Sequence, residues 1–573
     1  MTQAQTGDRP PLDGPAALLA PALLDWASRD DPACPRVCLV TGGRGTGKSR
    51  LLAWLLTDST RQPVPTVHAA APARGHTAQT LSWELGRQLG YGPLDPGALL
   101  ERLRTDDRPL RLVVADLHLA GRGPADLPSA APAAVVTELL QPLLALPGVR
   151  AAVEVDRAEL LPVADPLVLA LPTGGDAPAD PAAASGADAP GPGGDWRWAS
   201  AAARETALDQ AVRDGTAPGL LADPGYLALG SAVAVTAALA DRRIAVPPRL
   251  RTVWAAAGPA LGEGGMSDSE RAAVLHAAAL TADPRLARYL RPLAEQHLWT
   301  AAWSRPGLRT AGLALTGNGL LVADPAGRLH AHDPADGSLV ARLATDPRQR
   351  PARIASAGAG QLLTVDAVGH LQLLRTPPAG PGGAAAAPAA AGLRPFVQQH
   401  NAAVLAGTAA AVTAVAADSG SVAVADARGW FHLLHAAAPP ATVRGHSPYQ
   451  APITAIACLV LPDARDGLCL VVTGRADGSV RLWNSATRRS MPDPVEQRGA
   501  LPTALAAART AAGPVLAVAW SDRRLHLWRL AEGRFAAIPL LQDVDALALT
   551  PEGLLLCGGP QGTLALSTDP AAL

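Results

Sequence analysis

Lysine is almost missing from this chain. Of 49 basic residues only Lys48 is a lysine, and every other one is arginine. Aromatic residues are scarce at 3%, so any large core has to be built from Ala, Val and Leu. A charge imbalance is missing too. The formal net charge of −1 excludes a global attraction to nucleic acid or to an anionic membrane surface. Cysteine is sparse and scattered, at Cys34, Cys38, Cys458, Cys469 and Cys557. An odd, unclustered set is neither a disulfide framework nor a zinc site, and it reads as reduced thiols in a cytoplasmic protein. No basic segment precedes the first apolar run, so no signal peptide is expected. The uncharged run Pro224–Ala240 is short for a membrane span and reads as a buried helix. What is abundant is apolar: 48% of 573 residues are hydrophobic and 17% charged, which suits a globular protein of about three to four domains.

The lone lysine has a defined setting. A short apolar strand, Arg36–Thr41, runs into Gly42–Gly43–Arg44–Gly45–Thr46–Gly47–Lys48–Ser49, and a helix is expected over Arg50–Thr57. This is G-x-x-x-x-G-K-S between a strand and a helix, the phosphate-cradling P-loop pattern. Gly42, Gly45 and Gly47 let the backbone approach a phosphate and adopt unusual φ. The amides from Arg44 to Arg50, with Gly43 and Thr46 in the loop, converge at a helix N-terminus. Lys48 is placed to bridge β- and γ-phosphates, and Ser49 to ligate Mg²⁺. In a composition that disfavours lysine, the survivor stands where a planar guanidinium cannot replace a compact ammonium.

Alternating β and α patterns continue. Ala16–Ala27 reads as an amphipathic helix, Pro63–Ala71 as a second strand, Thr77–Leu89 and Leu99–Leu103 as helices, and Leu110–Asp116 as an apolar strand ending in an acid. Asp116 follows Lys48 by 68 residues and is the candidate Walker B carboxylate for the Mg²⁺ shell. Val135–Leu146 reads as a helix and Val149–Val155 as a strand followed by Asp156–Arg157. Beyond Asp116 the next residues are Leu117–His118–Leu119–Ala120, with His118 the one polar group before Arg122, while Asp126 and Glu138 lie farther along. Residues 172–195 are Pro, Gly, Ala and Asp without periodicity, a linker pattern. From Trp196 to Trp299 the periodicity is helical, with a capping-box signature at Ser267 and Glu270.

The last 270 residues or so repeat. Turns of the form D-x-x-G recur at Asp324–Gly327, Asp366–Gly369 and Asp426–Gly429, with a tighter Asp477–Gly478 and degenerate copies at 521–524 and 559–562. The turn positions are spaced by 42, 60, 49, 46 and 38 residues, and the long interval holds the low-complexity insert 377–392. A period of about 40–45 residues with short strands means a β-propeller. Six units are visible; Leu298–Trp303 reads as a closing strand, and a seventh, eroded blade is left open.

Gly445–His446, Thr473, Asp477 and Arg481–Leu482–Trp483–Asn484 resemble one WD40 repeat. That resemblance implies a buried hydrogen-bonded tetrad of His446, Asp477, Thr473 and Trp483. The whole arrangement resembles STAND-type NTPases, in which a P-loop ATPase and helical segments precede a WD40 propeller. The fold so implied is multidomain: an α/β P-loop NTPase domain over 1–171, a linker at 172–195, a helical domain over 196–303 and a WD40-like propeller of six or seven blades over 304–573. The resemblance implies ATP and Mg²⁺ as cofactors, catalytic roles for Lys48 and Asp116, and a γ-phosphate sensor at Arg157. The expected metal ligands are Ser49 and Asp116. The function implied is an ATP-binding regulatory switch with slow hydrolysis, since the acids usual after the Walker B aspartate are replaced by Leu117–Ala120. Its propeller would bind a protein partner or hold the NTPase inactive. The other reading is a nucleotide-stabilised interaction scaffold. Nucleic acid and membrane are not expected partners, and nucleotide-dependent homo-oligomerisation is left open.

Overall fold

The computed structural model describes residues 12, 14–29, 31, 33–61, 66–121, 131–172, 195–317, 319–343, 350–358, 360–375, 393–435, 443–445, 451–461 and 468–573. The linker pattern at 172–195 and the insert 377–392 fall almost entirely outside them. The chain divides into two compact units, Met1–Arg271 and Ala272–Leu573. No helix among the described residues is long and apolar enough to cross a membrane.

The first unit is built on a five-stranded parallel sheet in the order β2-β3-β4-β1-β5. The strands are β1 (Val37–Thr41), β2 (Ala69–Pro72), β3 (Leu110–Ala115), β4 (Val149–Glu154) and β5 (Leu167–Ala170). Every residue of β1 is buried, as a central parallel strand covered on both faces requires. Alternate side chains serve opposite cores. Val37 and Leu39 pack with α3 (Ala78–Gln88), α4 (Pro96–Arg104) and a helix over 132–144; Cys38 and Val40 pack with α1 (Gly14–Ser28) and α2 (Lys48–Arg61). Thr77 caps α3 through a reciprocal bond with Thr80. At its other end Arg87 donates to Pro259 O at 3.1 Å and Gly262 O at 3.0 Å, tying α3 to the helical segment. That segment is helical as expected, and Ala217–Leu221 adds a short helix that was not expected. Pro224–Ala240 is two helices, Pro224–Leu229 and Ala232–Ala240, because Ser231 caps the second by accepting from the Ala234 amide. Ser267 accepts the Glu270 amide at 3.2 Å, as the expected capping box requires of it.

The second unit carries six antiparallel sheets. Their innermost strands, Gly312–Thr316, Pro351–Gly358, Val412–Asp418, Ile453–Leu461, Pro502–Thr510 and Ala546–Leu549, each pack on the next, and the sixth packs on the first. This is a closed six-bladed propeller. The expected closing strand is present as β6 (Trp299–Arg305), which pairs antiparallel with Gly562–Thr568 and completes the sixth blade. A buried contact of Thr310 Oγ1 with Thr563 Oγ1, 2.7 Å, adds to the closure. Blade 2 has three described strands, and the helix Leu393–Leu405 lies beside its outer one, Leu371–Arg375. There the Asn401 amide donates to Leu371 O at 2.8 Å and its Oδ1 accepts the Leu371 amide at 3.0 Å, doing for the strand edge what a fourth strand would do.

The D-x-x-G signature has one physical cause. Asp324, Asp366 and Asp426 each accept two amides of their own turn through Oδ1, at 2.8–3.0 Å. The glycines take φ of +79°, +85° and +81°, and a Cβ on each would come within 2.4–2.6 Å of the strand entry of the next blade. The turn therefore sets the spacing between blades. Of the expected tetrad, Thr473 and Trp483 are buried, and Trp483 stacks edge-on with Phe431. Asp477 departs from the expectation: it is exposed and accepts from the Ser479 amide and hydroxyl, because closing the tight turn commits its carboxylate there. His446 lies outside the described residues.

Two outcomes follow from this packing. A chain beginning at residue 298 should unfold cooperatively, and one beginning at 306, which lacks β6, should melt at a lower temperature; equal melting points would mean that β6 does not close the ring. Asp209, half-buried with Oδ1 lacking a partner among the described residues, has its pKa raised by burial to about 6. Its protonated form therefore favours folding, a contribution complete below its ordinary 3.8 and lost as pH rises through about 6. Asp209→Asn should add about 1 kcal/mol of stability at pH 8, discounted for partial exposure, and nearly nothing at pH 4. Denaturant unfolding at both pH values measures it, and a gain that ignores pH would contradict it.

Candidate functional site

In a parallel sheet of this order, the crevice beyond the carboxyl ends of the central strands is where ligands bind. β1 ends there in the loop 42–47, and α2 starts at Lys48. Gly42, Gly45 and Gly47 adopt φ of +147°, +77° and +94°. Gly42 is also fixed by crowding: a Cβ there would lie 2.9 Å from Leu171 O and from Thr46 Oγ1. Thr46 Oγ1 donates to Gly43 O at 2.9 Å and pins the loop. Arg44, Gly45, Ser49 and Arg50 are exposed, and the first turn of α2 carries no acid to repel an anion.

Lys48 points the other way, into the protein, and is 4% exposed. Its ammonium donates to Gly42 O at 2.8 Å and Gly43 O at 2.7 Å and lies 3.9 Å from Glu154 Oε1. Ser49 Oγ donates to the same Glu154 oxygen at 3.1 Å. Glu154 closes β4 and is 2% exposed. Burial pushes its pKa up, and the nearby Asp116 charge adds to the shift, against the pull of Ser49 and Lys48. Its Oε2 is buried without a hydrogen-bond partner among the described residues.

The structure thus brings Lys48, Ser49, Glu154 and Asp116 to one edge of the sheet. Asp116 follows β3 at φ +53°, and its carboxylate pairs with Arg74 at 3.3 Å. Arg157 is exposed, three residues past Glu154, at the head of the turn Ala158–Leu160. His118 sits in the turn Leu117–Leu119, Glu138 is exposed on the 132–144 helix, and Asp126 is outside the described residues. Glu154 is the residue that sequence reasoning missed. The available signal was an acid closing the apolar run Ala151–Val153, which a buried strand does not carry without a reason. For Mg²⁺ and a phosphate chain the residues fit. Ser49 Oγ and Glu154 Oε2 are hard oxygen donors, and the left-handed glycines open the loop amides toward an anion.

No family model matches the sequence, and no curated protein matches it. Among solved structures, the chain is similar to the computationally designed Ika8 protein at 16% identity, over 46% of this chain and 71% of that one, with a TM-score of 0.28. It is similar to a chain of the mitotic checkpoint complex at 16% identity, over 45% and 74%, with a TM-score of 0.30. It is similar to the WD40 repeats of RRP9 at 14% identity, over 47% and 97%, with a TM-score of 0.31. At likenesses this remote, the propeller rests on the strand pairing described above.

The buried pair predicts how the apo protein responds to losing the lysine. Lys48→Met leaves Glu154 without its counter-charge, a change that costs about 3–5 kcal/mol for a buried pair. Protonating Glu154 relieves that cost, so the loss should be larger at pH 8 than at pH 5. Denaturant unfolding of both proteins at the two pH values tests this, and a loss independent of pH would mean that Glu154 is not the counter-charge.

Proposed function

We propose that the first unit binds Mg-ATP at residues 42–50 and acts as a nucleotide-dependent switch, while the propeller carries the contact to a protein partner. One observation carries the reading: the only lysine, the Ser49 hydroxyl and two carboxylates meet beside a left-handed glycine loop at the carboxyl edge of a parallel sheet. In this reading Lys48 exchanges its two loop carbonyls for phosphate oxygens. Ser49 and Glu154 would hold the metal, which would supply charge neutralisation at the phosphates, and Asp116 would support them from the end of β3. Exposed Arg44 and Arg50 flank the phosphate chain. Arg157 would act as γ-phosphate sensor only by swinging in from the surface.

Hydrolysis should be slow. Leu117 and Leu119 offer no group to orient water, and Glu154 is engaged by Ser49 and Lys48. A route for the switch is also in view. Asp116 pairs with Arg74, which precedes α3, and the far end of α3 is anchored through Arg87 to Pro259 and Gly262. Drawing Asp116 toward a metal would release Arg74, which stands just before α3.

The test is nucleotide binding, exchange and γ-phosphate release, run with ATP and GTP. Lys48→Ala should weaken Mg-ATP binding about 10- to 150-fold, the value of one charge-assisted contact. Basal turnover should stay below about 1 s⁻¹. Glu154→Gln and Asp116→Ala should lower Mg²⁺-dependent affinity, and His118→Ala should change it little. Unchanged affinity in Lys48→Ala, or rapid turnover that depends on His118, would overturn the proposal.

A further inference from the structure

Blade 1 of the propeller holds a cavity of about 550 Å³ between the segment Gly307–Arg309 and the strands Leu329–His332 and Leu339–Leu343. Its charged and titratable lining is Arg309, Arg328, His330, His332, Arg342 and one acid, Asp324. That acid is already committed. Asp324 Oδ1 accepts the Ala326 and Arg328 amides at 2.9 and 2.8 Å, and Oδ2 accepts Arg328 Nε at 2.7 Å, with His330 Nε2 at 3.7 Å. The turn so neutralises Arg328. Arg309 and Arg342 are exposed, and neither has a hydrogen bond or ion pair with another described residue. Arg309 and Arg342 therefore line this cavity without an ion-pair partner among the described residues.

The third component is His332, 7% exposed. Its Nδ1 lies 3.0 Å from Gly337 O, a carbonyl that can only accept, so the proton of the neutral ring sits on Nδ1. Nε2 is then a bare lone pair, buried without a hydrogen-bond partner among the described residues. Burial holds the His332 pKa down, and the His330 and Arg305 charges lower it further against the Gly337 carbonyl.

We propose that this cavity binds a tetrahedral oxyanion, a phosphate or sulfate group, between Arg309 and Arg342, with His332 taking up a proton at Nε2 as the anion enters. Guanidinium forks match oxyanions in bidentate geometry. Two forks and an imidazolium N–H offer more donors than the two coplanar oxygens of a carboxylate can use. The arriving charge raises the His332 pKa, so binding consumes a proton and tightens as pH falls. The cavity is larger than a bare oxyanion needs, and Leu308, Pro325 and Leu339 leave apolar wall beside it. The group can be a free anion or a phosphoryl group carried on a protein partner.

Calorimetry on the full chain at low ionic strength tests this, with sulfate as probe because its charge does not titrate between pH 6 and 8. The loop at Lys48 is a second place where an oxyanion could sit, so Lys48→Ala and Arg309→Ala/Arg342→Ala chains are measured beside the parent. The Lys48→Ala chain should keep one sulfate site, on the order of tenfold tighter at pH 6 than at pH 8, and His332→Gln should flatten that dependence. The double arginine variant, altered only at exposed positions, should lose about tenfold or more in affinity at this site. No sulfate site in Lys48→Ala, or an unchanged one in the double variant, overturns the proposal. Where the site is present, a phosphoserine peptide that binds more tightly than sulfate and than its unphosphorylated form assigns it to a modified partner. Equal or weaker binding of that peptide assigns the site to a free anion.

Discussion

A buried ammonium cannot stand alone, and the first unit is arranged around that constraint. Lys48 is taken out of water at the start of α2, where two carbonyls of its own loop and the carboxylate of Glu154 receive it. Each partner comes from a different place in the chain. The carbonyls require the glycine loop after β1, and the carboxylate requires that β4 lie beside β1 and end level with it. The strand order is therefore tied to the site. In the proposed reading the same contacts would make the loop responsive, since a phosphate chain would compete with neutral carbonyls for the lysine while a metal ion would compete with it for Glu154.

The propeller is governed by steric spacing rather than by charge. At three turns an aspartate collects two amides, and a glycine with positive φ sits where any Cβ would strike the next blade. Where the motif erodes, other devices replace it. Arg523 takes φ +60° in blade 5 and pairs with Asp543 at 2.9 Å, while Glu496 of blade 4 accepts from His526 and Trp528 of blade 5. In blade 2 a helix stands in for an edge strand. These substitutions keep the blade spacing while the sequence signature fades.

What could be read from the sequence follows the range of the interactions. The loop 42–49, the helix after it and the turns are local, and their residues announce them by type and spacing. Four of the five strands of the first unit could be found as apolar runs; the short strand Leu167–Ala170 was missed, the strand order could not be read, and Glu154 gains its meaning only from that order. Arg157 stands close to Glu154 in sequence and was the more visible candidate, but its side chain faces solvent. The helix Leu393–Leu405 was hidden because it follows the low-complexity insert at a place where the repeat pattern calls for a strand. The break at Ser231 was hidden within an unbroken apolar run, where one hydroxyl decides the cap. Asp477 was legible as a turn residue and was misassigned when the family resemblance placed it in a buried tetrad.

The central claim is that the interior contacts of Lys48 are the resting form of a nucleotide site. A crystal structure of the full chain with Mg²⁺ and a non-hydrolysable ATP analogue tests it most directly. The account predicts the phosphate chain over the amides of residues 43–50, Lys48 Nζ moved from Gly42 O and Gly43 O onto phosphate oxygens, and Mg²⁺ between Ser49 and Glu154. Lys48 still bonded to both carbonyls and to Glu154, with the analogue bound elsewhere or not at all, would contradict it.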